Sequence, residues 1–265
     1  MRRNWVFSKP NWFGVVRPVE RMRQAAQGLT QLVFPPRCAG CDGELPMAST
    51  ACALCDACHA RLAPSDALRC GRCGAVAARA TGDATGCDDC RQRSLGFDRV
   101  WVWGDYVGEI RAAVLRMKHA HEEPLSAAVG HLLADRWREP LAAWQPDVVT
   151  CVPMHWTRRW TRGTNSAEIL AEILAANLRL PLANGIVSRR RRTQPQAGLP
   201  PTERFNNVHG AFRLRSGASF GGARVLLFDD VLTTGATCGE VARLFKRAGA
   251  KQVAVAVVAL APRPN

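Results

Sequence analysis

The sequence of 265 residues predicts an α/β fold with a mostly parallel sheet, preceded by a small cysteine-rich segment. From about residue 95 onward, apolar runs suited to buried strands alternate with segments whose apolar residues recur at helical spacing. The runs are continuous and rich in β-branched residues, which is typical of parallel strands that helices cover on both faces. Nine of the eleven cysteines lie between residues 38 and 94, where no long periodic apolar segment occurs.

Composition divides the chain into three parts, namely a basic N-terminal extension over 1–37, a cysteine-rich segment over 38–94 and an α/β domain over 95–265. The extension suits either a basic amphipathic helix around 19–33 or a segment without fixed structure, and the sequence leaves both open. The cysteine-rich segment has little apolar surface to bury, so we expect it to need bound metal in order to fold.

The α/β domain is predicted to open with a strand over 97–106. A helix follows, in which Ile110, Val114 and Met117 recur at helical spacing before Lys118.

A buried strand over 147–153 is followed by a helix over 165–178, which Asn165 or Ser166 can cap. Residues 188–207 are polar and rich in arginine and proline, so we expect a loop there. The chain then finishes as a strand, a helix and a strand, over 223–230, 236–249 and 251–260, with Gly249 ending the helix.

The stretch VLLFDDVLTTGATC, 225–238, combines a buried strand with two carboxylates and a threonine-rich loop. A strand ending at Phe228 delivers Asp229 and Asp230 to the carboxyl edge of the sheet, where open α/β folds bind ligands. The loop over 231–237 leads into a helix amino terminus, whose free N–H groups favour an anion. Carboxylates accept hydrogen bonds from vicinal hydroxyls, so a ribose 5-phosphate would satisfy both halves. Neither G-x-x-x-x-G-K-[ST] nor G-x-G-x-x-G occurs as a competing phosphate motif.

This stretch resembles the binding loop of type I phosphoribosyltransferases. The resemblance implies that Asp229 and Asp230 are the catalytic acidic pair and hold the ribose hydroxyls of phosphoribosyl pyrophosphate. It also implies that the loop holds the 5-phosphate and that Mg²⁺ accompanies the donor. The phosphate-binding residues would then be Thr233, Thr234, Gly235, Ala236 and Thr237.

Further stretches make the resemblance more specific. VPMHWTRRWTRGTNSAEILA, TQPQAGLPPTERFNNVHGAF and YVGEIRAAVLRMKHA, behind the cysteine pairs, are similar to the ComF family of competence-related proteins from about Cys38 to the end. The family implies a type I phosphoribosyltransferase-like fold behind a double zinc ribbon. Thr164 and Ser166 depart from its usual R-G-F-N-Q pattern. An acidic residue often stands at the position of Thr233 in purine-salvage relatives, so its absence disfavours a purine acceptor.

By position, the resemblance assigns a pyrophosphate loop and a group of basic residues beside it. The loop consists of Val152, Pro153, Met154 and His155, and the basic residues are Arg158, Arg159 and Arg162. A solvated basic turn is the alternative interpretation. His155 is the nearest candidate for a general base towards an acceptor, although an ordinary loop histidine explains it equally.

Four C-x-x-C pairs are expected to form two zinc sites, because each pair places two thiolates on a tight turn and two turns complete a tetrahedral site. Cys52, Cys55 and Cys58 offer overlapping pairs, and the ComF-like spacing favours Cys55 with Cys58. The expected ligands are Cys38, Cys41, Cys55, Cys58, Cys70, Cys73, Cys87 and Cys90. Sequential and interleaved pairing of the turns both remain open, as do cysteines without metal. Cys151 and Cys238 are expected to be packing residues.

The net charge of +14, with arginine runs over 158–162 and 189–192, favours a polyanionic partner, although a solvated basic surface is the alternative. No apolar run reaches 18 residues, so we expect neither a membrane span nor a secretory signal. Together with the paired cysteines, this favours the cytoplasm.

Two functions follow from these residues and from the family. The first is binding of phosphoribosyl pyrophosphate or a related nucleotide, combined with handling of incoming single-stranded DNA in competence, with competence-machinery proteins as further partners. Trp156 and Trp160 lie among the arginines, and stacking aromatic residues beside cations suit single strands. The second is an active phosphoribosyltransferase with an unidentified acceptor.

Overall fold

The computed structural model describes residues 35–46, 53–64, 66–77, 86–154, 165–191, 193 and 199–262. Within these residues the helices are α1 Asp56–Arg61, α2 Asp88–Arg91, α3 Gly108–Arg116, α4 Glu123–Trp144, α5 Ser166–Leu178, α6 Pro201–Val208 and α7 Ala236–Arg247. The strands are β1 Arg99–Asp105, β2 Val148–Cys151, β3 Val187–Arg189, β4 Phe212–Leu214, β5 Arg224–Leu232 and β6 Gln252–Leu260. None of the described helices combines the length and apolar character needed to cross a membrane.

Four strands form a fully parallel sheet in the order β1-β6-β5-β2, which confirms the predicted parallel α/β fold. Alternate residues of β5 enter different cores: Val225 and Leu227 pack on one face, Leu226 and Phe228 on the other. Helices α4 and α5 cover the face of Leu226, and α7 covers the opposite face. Both faces of the sheet are therefore dry, as its apolar strands require.

Strand β5 does not end at Phe228, as the sequence suggested, but continues to Leu232. It continues because β6 is long enough to pair with it as far as Leu260. Strand β2 stops earlier, with Cys151 opposite Phe228. At the acidic pair, β5 is therefore paired with β6 alone, because β2 has already ended. This leaves a recess at the carboxyl edge of the sheet.

The prediction of a loop over 188–207 is wrong at both ends of this range. Its first residues belong to β3, which pairs antiparallel with β4, and its last residues belong to α6. Proline is compatible with the first turn of a helix, and Val208 buries its side chain in the core. Packing of the apolar side of α6 thus outweighs its polar composition. Helix α7 has Ala248 as its C-cap, and Gly249 follows in the left-handed conformation.

The cysteine-rich segment forms two ribbons of the same design, the first ribbon (35–46 and 53–64) and the second ribbon (66–77 and 86–94). In each, a C-x-x-C turn is closed by an antiparallel bridge, Arg37 with Glu44 and Arg69 with Val76. The second C-x-x-C pair of each ribbon begins a short helix, α1 or α2, whose N-cap is a cysteine.

Candidate functional site

A cavity of about 450 Å³ lies where β5 extends beyond β2, and its volume is within the usual range for small-molecule sites. Its lining comes from the strand ends, the start of α5, the chain just after α3 and the loop before α7. The lining residues are Tyr106, Lys118, Val152, Pro153, Met154, Asn165, Ser166, Ala167, Arg189, Asp229, Asp230, Val231, Leu232, Thr233, Gly235, Ala236, Thr237 and Cys238.

The two carboxylates of the acidic pair have different environments. Asp229 Oδ1 accepts the Asp230 N–H at 2.9 Å, and Cys238 Sγ donates to Asp229 Oδ2 at 3.4 Å. Burial raises the pKa of Asp229 well above its ordinary value, and the charge of Asp230 adds to the rise. Asp230 Oδ1 accepts the Val231 N–H at 2.8 Å, while Oδ2 lies 3.4 Å from Lys118 Nζ. Asp230 is thus the member of the pair that is held by a cation.

Lys118 is a site residue that the sequence interpretation did not assign. It follows α3, where the buried Met117 fixes the chain, and its side chain is 25% exposed. The sequence signal for Lys118 was its place in YVGEIRAAVLRMKHA, one of the stretches that resemble the ComF family.

Arg189 is a second residue of this kind. In the sequence it belongs to the basic run over 189–192, whereas in the structure β3 places it in the cavity wall. Its guanidinium lies 5.0 Å from the ring centroid of Phe212, which is its partner across the β3–β4 pair. This cation–π contact fixes the orientation of the side chain.

The threonine-rich loop reaches the cavity with four of its five predicted residues, Thr233, Gly235, Ala236 and Thr237. Thr234 has another environment, because its hydroxyl accepts the Ala236 N–H at 3.4 Å and its carbonyl faces Arg93. Gly235 has φ of 81°, and an added Cβ would lie 3.3 Å from the Phe97 ring. Glycine is therefore needed at the turn that aims the amino terminus of α7 at the cavity.

Val152, Pro153 and Met154, which follow the end of β2, line the cavity as predicted for the start of the pyrophosphate loop. The remaining predicted pyrophosphate-loop and basic residues lie outside the described part of the chain, as do the two tryptophans among them. These residues are His155, Arg158, Arg159, Arg162, Trp156 and Trp160.

The cysteines assemble into two tetrads with sequential pairing of the turns, which settles the choice the sequence left open. The first tetrad is Cys38, Cys41, Cys55 and Cys58, and the second is Cys70, Cys73, Cys87 and Cys90. Neighbouring sulfur atoms lie 3.6 to 3.8 Å apart, for example those of Cys73 and Cys87 and those of Cys41 and Cys55. A tetrahedral ion with Zn–S bonds of about 2.3 Å has edges of about 3.8 Å, so both tetrads match zinc.

Burial and neighbouring thiols raise the pKa of Cys58 and of Cys90 to about 12. These two thiols therefore keep their protons at neutral pH unless a cation displaces them. Cys151 and Cys238 are buried, as predicted, but Cys238 also lines the cavity and contacts Asp229. Cys52 lies outside the described residues.

Comparison with known proteins identifies two domains. The phosphoribosyl transferase domain family matches residues 119–264, and the double zinc ribbon domain family matches residues 29–92. Competence protein F of Haemophilus influenzae is 30% identical over 226 residues, which cover 84% of this chain and 96% of the relative.

DNA utilization protein YhgH of Escherichia coli is 30% identical over 227 residues, with the same two coverages of 84% and 96%. Among solved structures, the purine phosphoribosyltransferase of Pyrococcus horikoshii is 21% identical, with 61% of this chain and 78% of that chain covered and a TM-score of 0.32.

Proposed function

The chain belongs to the competence protein F and YhgH family, with a phosphoribosyl transferase domain behind a double zinc ribbon, and from this premise we propose that its cavity binds phosphoribosyl pyrophosphate or a related nucleotide. We further propose that the protein handles incoming single-stranded DNA during natural competence, in the cytoplasm. One observation carries the first proposal. The acidic pair, a cation and the amino terminus of α7 all face the same cavity.

Each part of the donor has a complementary surface in this cavity. The ribose hydroxyls donate to Asp229 and Asp230, and the N–H groups at the start of α7 bind the 5-phosphate. The donor is a polyanion, so two carboxylates alone would repel it. Lys118 and Arg189 supply positive charge for the pyrophosphate, and bound Mg²⁺ would further neutralise the phosphate oxygens.

Replacement of both acidic residues tests the donor site. We expect Asp229→Ala with Asp230→Ala to weaken binding of phosphoribosyl pyrophosphate at least about tenfold in calorimetry, because several charge-assisted hydrogen bonds are lost. The fold should survive. A carboxyl whose folded-state pKa is raised destabilises the folded state once pH exceeds its ordinary value of 3.8, so removing it relieves that cost at neutral pH. Asp135→Ala on the exposed side of α4 is the control, and equal affinities of all three proteins would refute the site.

A second candidate function is transfer of the phosphoribosyl group to an acceptor. Burial raises the pKa of Asp229, so its carboxylate takes up a proton more readily than an ordinary aspartate does, and this favours a role as general base. In that reaction the acceptor forms a bond to C1 of the ribose while the bond to pyrophosphate breaks, and the acceptor's proton passes to the base. Pyrophosphate release, measured with and without single-stranded DNA, decides between binding and transfer.

Single-stranded DNA has a candidate surface beside the cavity. The β3–β4 pair exposes Arg190, Arg213 and Arg215, and the same pair carries Arg189 into the cavity wall. Cations spaced along a two-stranded ribbon can follow a phosphate backbone, and the net charge of +14 adds long-range attraction.

Charge removal at this surface tests DNA binding. Arg213→Gln with Arg215→Gln should weaken binding of an oligonucleotide about 3- to 10-fold at low salt and should reduce the slope of log K against log salt by about 1 to 2. Arg136→Gln with Arg138→Gln removes the same charge from α4 and should leave the slope unchanged. Binding that is independent of salt in the parent protein would argue against a polyanion partner.

A further inference from the structure

We propose that the second ribbon is part of the phosphate-binding site, because it and the zinc that its cysteines would hold position the loop over 233–237. This inference rests on the proposed function, since it concerns the loop that would receive the 5-phosphate. The first ribbon, although built in the same way, contacts other elements.

A chain of hydrogen bonds links the second tetrad to the loop. Arg72 lies inside the Cys70–Cys73 turn, and its guanidinium donates to the carbonyls of Cys90 and Arg93, the latter at 2.7 Å. Arg93 in turn directs its own guanidinium to the Thr234 carbonyl at 3.5 Å. The two metal-binding turns and the phosphate loop are therefore joined by two arginines.

Backbone packing carries the coupling further. Residues that follow the second ribbon cross the first turn of α7 at Gly96 and Gly239, where an added Cβ on Gly96 would lie 2.5 Å from the Gly239 carbonyl oxygen. Gly239 likewise has no room for a side chain, because the Leu95 carbonyl oxygen occupies that space. Such a close backbone contact is possible only between glycines, and it fixes the position of the first turn of α7 relative to the second ribbon.

The hydrophobic core is also shared. Cys90, Leu95 and Phe97 belong to the same buried cluster as Leu232, which precedes the loop, and Ala236, which is part of it. The Phe97 ring packs against Gly235, the turn residue at the start of α7. One face of the loop lines the cavity and the other rests on side chains that the second ribbon places.

Metal is required for this support because α2 has only four residues and cannot be stable alone. Without the ion, the carbonyls of Cys90 and Arg93 lose their fixed positions, and Arg93 loses its own orientation. The loop must then be ordered when the ligand binds, which lowers affinity without removing any group that touches the ligand. Arg93 is thus a positioning residue.

The first ribbon attaches elsewhere. The Trp103 indole donates to the Leu62 carbonyl at 2.7 Å, and Arg116 donates to the carbonyls of Gly40 and Ala39. In the described part of the chain, none of the hydrogen bonds or ion pairs of the first ribbon reaches the loop over 233–237. Loss of its metal should therefore leave the loop in place.

Equivalent cysteines allow a matched test, because Cys55 and Cys87 are the N-caps of α1 and α2. In full-length protein, Cys87→Ser and Cys55→Ser should each lower the zinc content from about two ions to about one. Cys87→Ser should weaken phosphoribosyl pyrophosphate about tenfold or more, and Cys55→Ser less than about twofold. Hydrogen exchange of the amides over 233–237, measured without ligand, should accelerate only in Cys87→Ser.

Arg93→Met keeps every cysteine, so it tests whether the second ribbon positions the loop even if Cys87→Ser does not fold. We expect two zinc ions, faster exchange in the loop and about 3- to 10-fold weaker binding, with Arg93→Lys restoring most of the affinity. Loop exchange that is unchanged in both Arg93→Met and folded, zinc-depleted Cys87→Ser overturns the inference. Failure of the parent protein to bind the donor would instead overturn the proposed function, because the exchange measurement needs no ligand.

Discussion

The first and second ribbons have the same backbone design and different surroundings. In the first, the Cys38 N–H donates to the Gly43 carbonyl at 2.7 Å, and in the second the Cys70 N–H donates to the Ala75 carbonyl at 2.8 Å. The residue after each first C-x-x-C pair has a left-handed backbone, with φ of 61° at Asp42 and 77° at Gly74. The spacing of the cysteines therefore specifies the same local structure twice.

The two ribbons differ in how deeply their cysteines are buried. Cys41 is exposed, whereas Cys73 is buried in the core that also contains residues of β5 and β6. The second ribbon is hydrogen-bonded to the edge strand β1, because the Val100 N–H donates to the Gly71 carbonyl at 2.8 Å. The first ribbon packs Leu62 on the core that α4 and α5 cover, whereas the second ribbon places its own metal-ligand cysteines inside the opposite core of the domain.

The largest difference should follow replacement of a buried ligand. Cys70→Ser should cost at least about 3 kcal/mol more of the free energy of unfolding than Cys38→Ser, because Cys70 belongs to the domain core as well as to a metal site. Denaturant unfolding together with zinc analysis measures this. Equal losses would mean that the two ribbons contribute alike to the domain.

An exchange of the left-handed residues sharpens the comparison. A Cβ at Gly74 would lie 2.6 Å from Val102 Cγ2, so Gly74→Ala should destabilise the protein by about 2 to 3 kcal/mol. Asp42 is exposed, and Asp42→Gly should change stability by less than about 1 kcal/mol. Thermal unfolding of both variants measures the two stability changes. A Gly74→Ala variant as stable as the parent protein would contradict the docking of the second ribbon on β1.

The smallest effect concerns the arginine before each tetrad. Arg69 forms two hydrogen bonds with Asp105 at 3.0 and 3.1 Å, and its side chain is 12% exposed, so Arg69→Met should cost about 1 to 2 kcal/mol. Arg37 pairs with Asp42 at 3.4 Å in solvent, and Arg37→Met should cost less than about 0.5 kcal/mol. Stability measured at low and high salt tests both, since only the exposed pair should be fully screened.

Much of the fold and of the metal sites could be predicted because the signals are contiguous. The four C-x-x-C turns, the continuous strands and the acidic pair followed by its glycine turn each depend on residues a few positions apart. The loop predicted over 188–207 failed for the same reason: the stability of α6 comes from Val208 packing on a distant core, which a local pattern does not contain.

The sequence by itself determined three of the four C-x-x-C pairs and which strand delivers the acidic pair, because those properties are set by local spacing and apolar periodicity. For the fourth pair, local spacing left Cys52, Cys55 and Cys58 as overlapping choices. Only the tertiary structure decided that the turns pair sequentially, that Lys118 and Arg189 join Asp230 around one cavity, and that Arg93 reaches Thr234. These contacts join residues far apart in the chain. Their formation depends on how strands and helices stack, and a one-dimensional pattern does not encode which distant side chains that stacking brings within hydrogen-bonding distance.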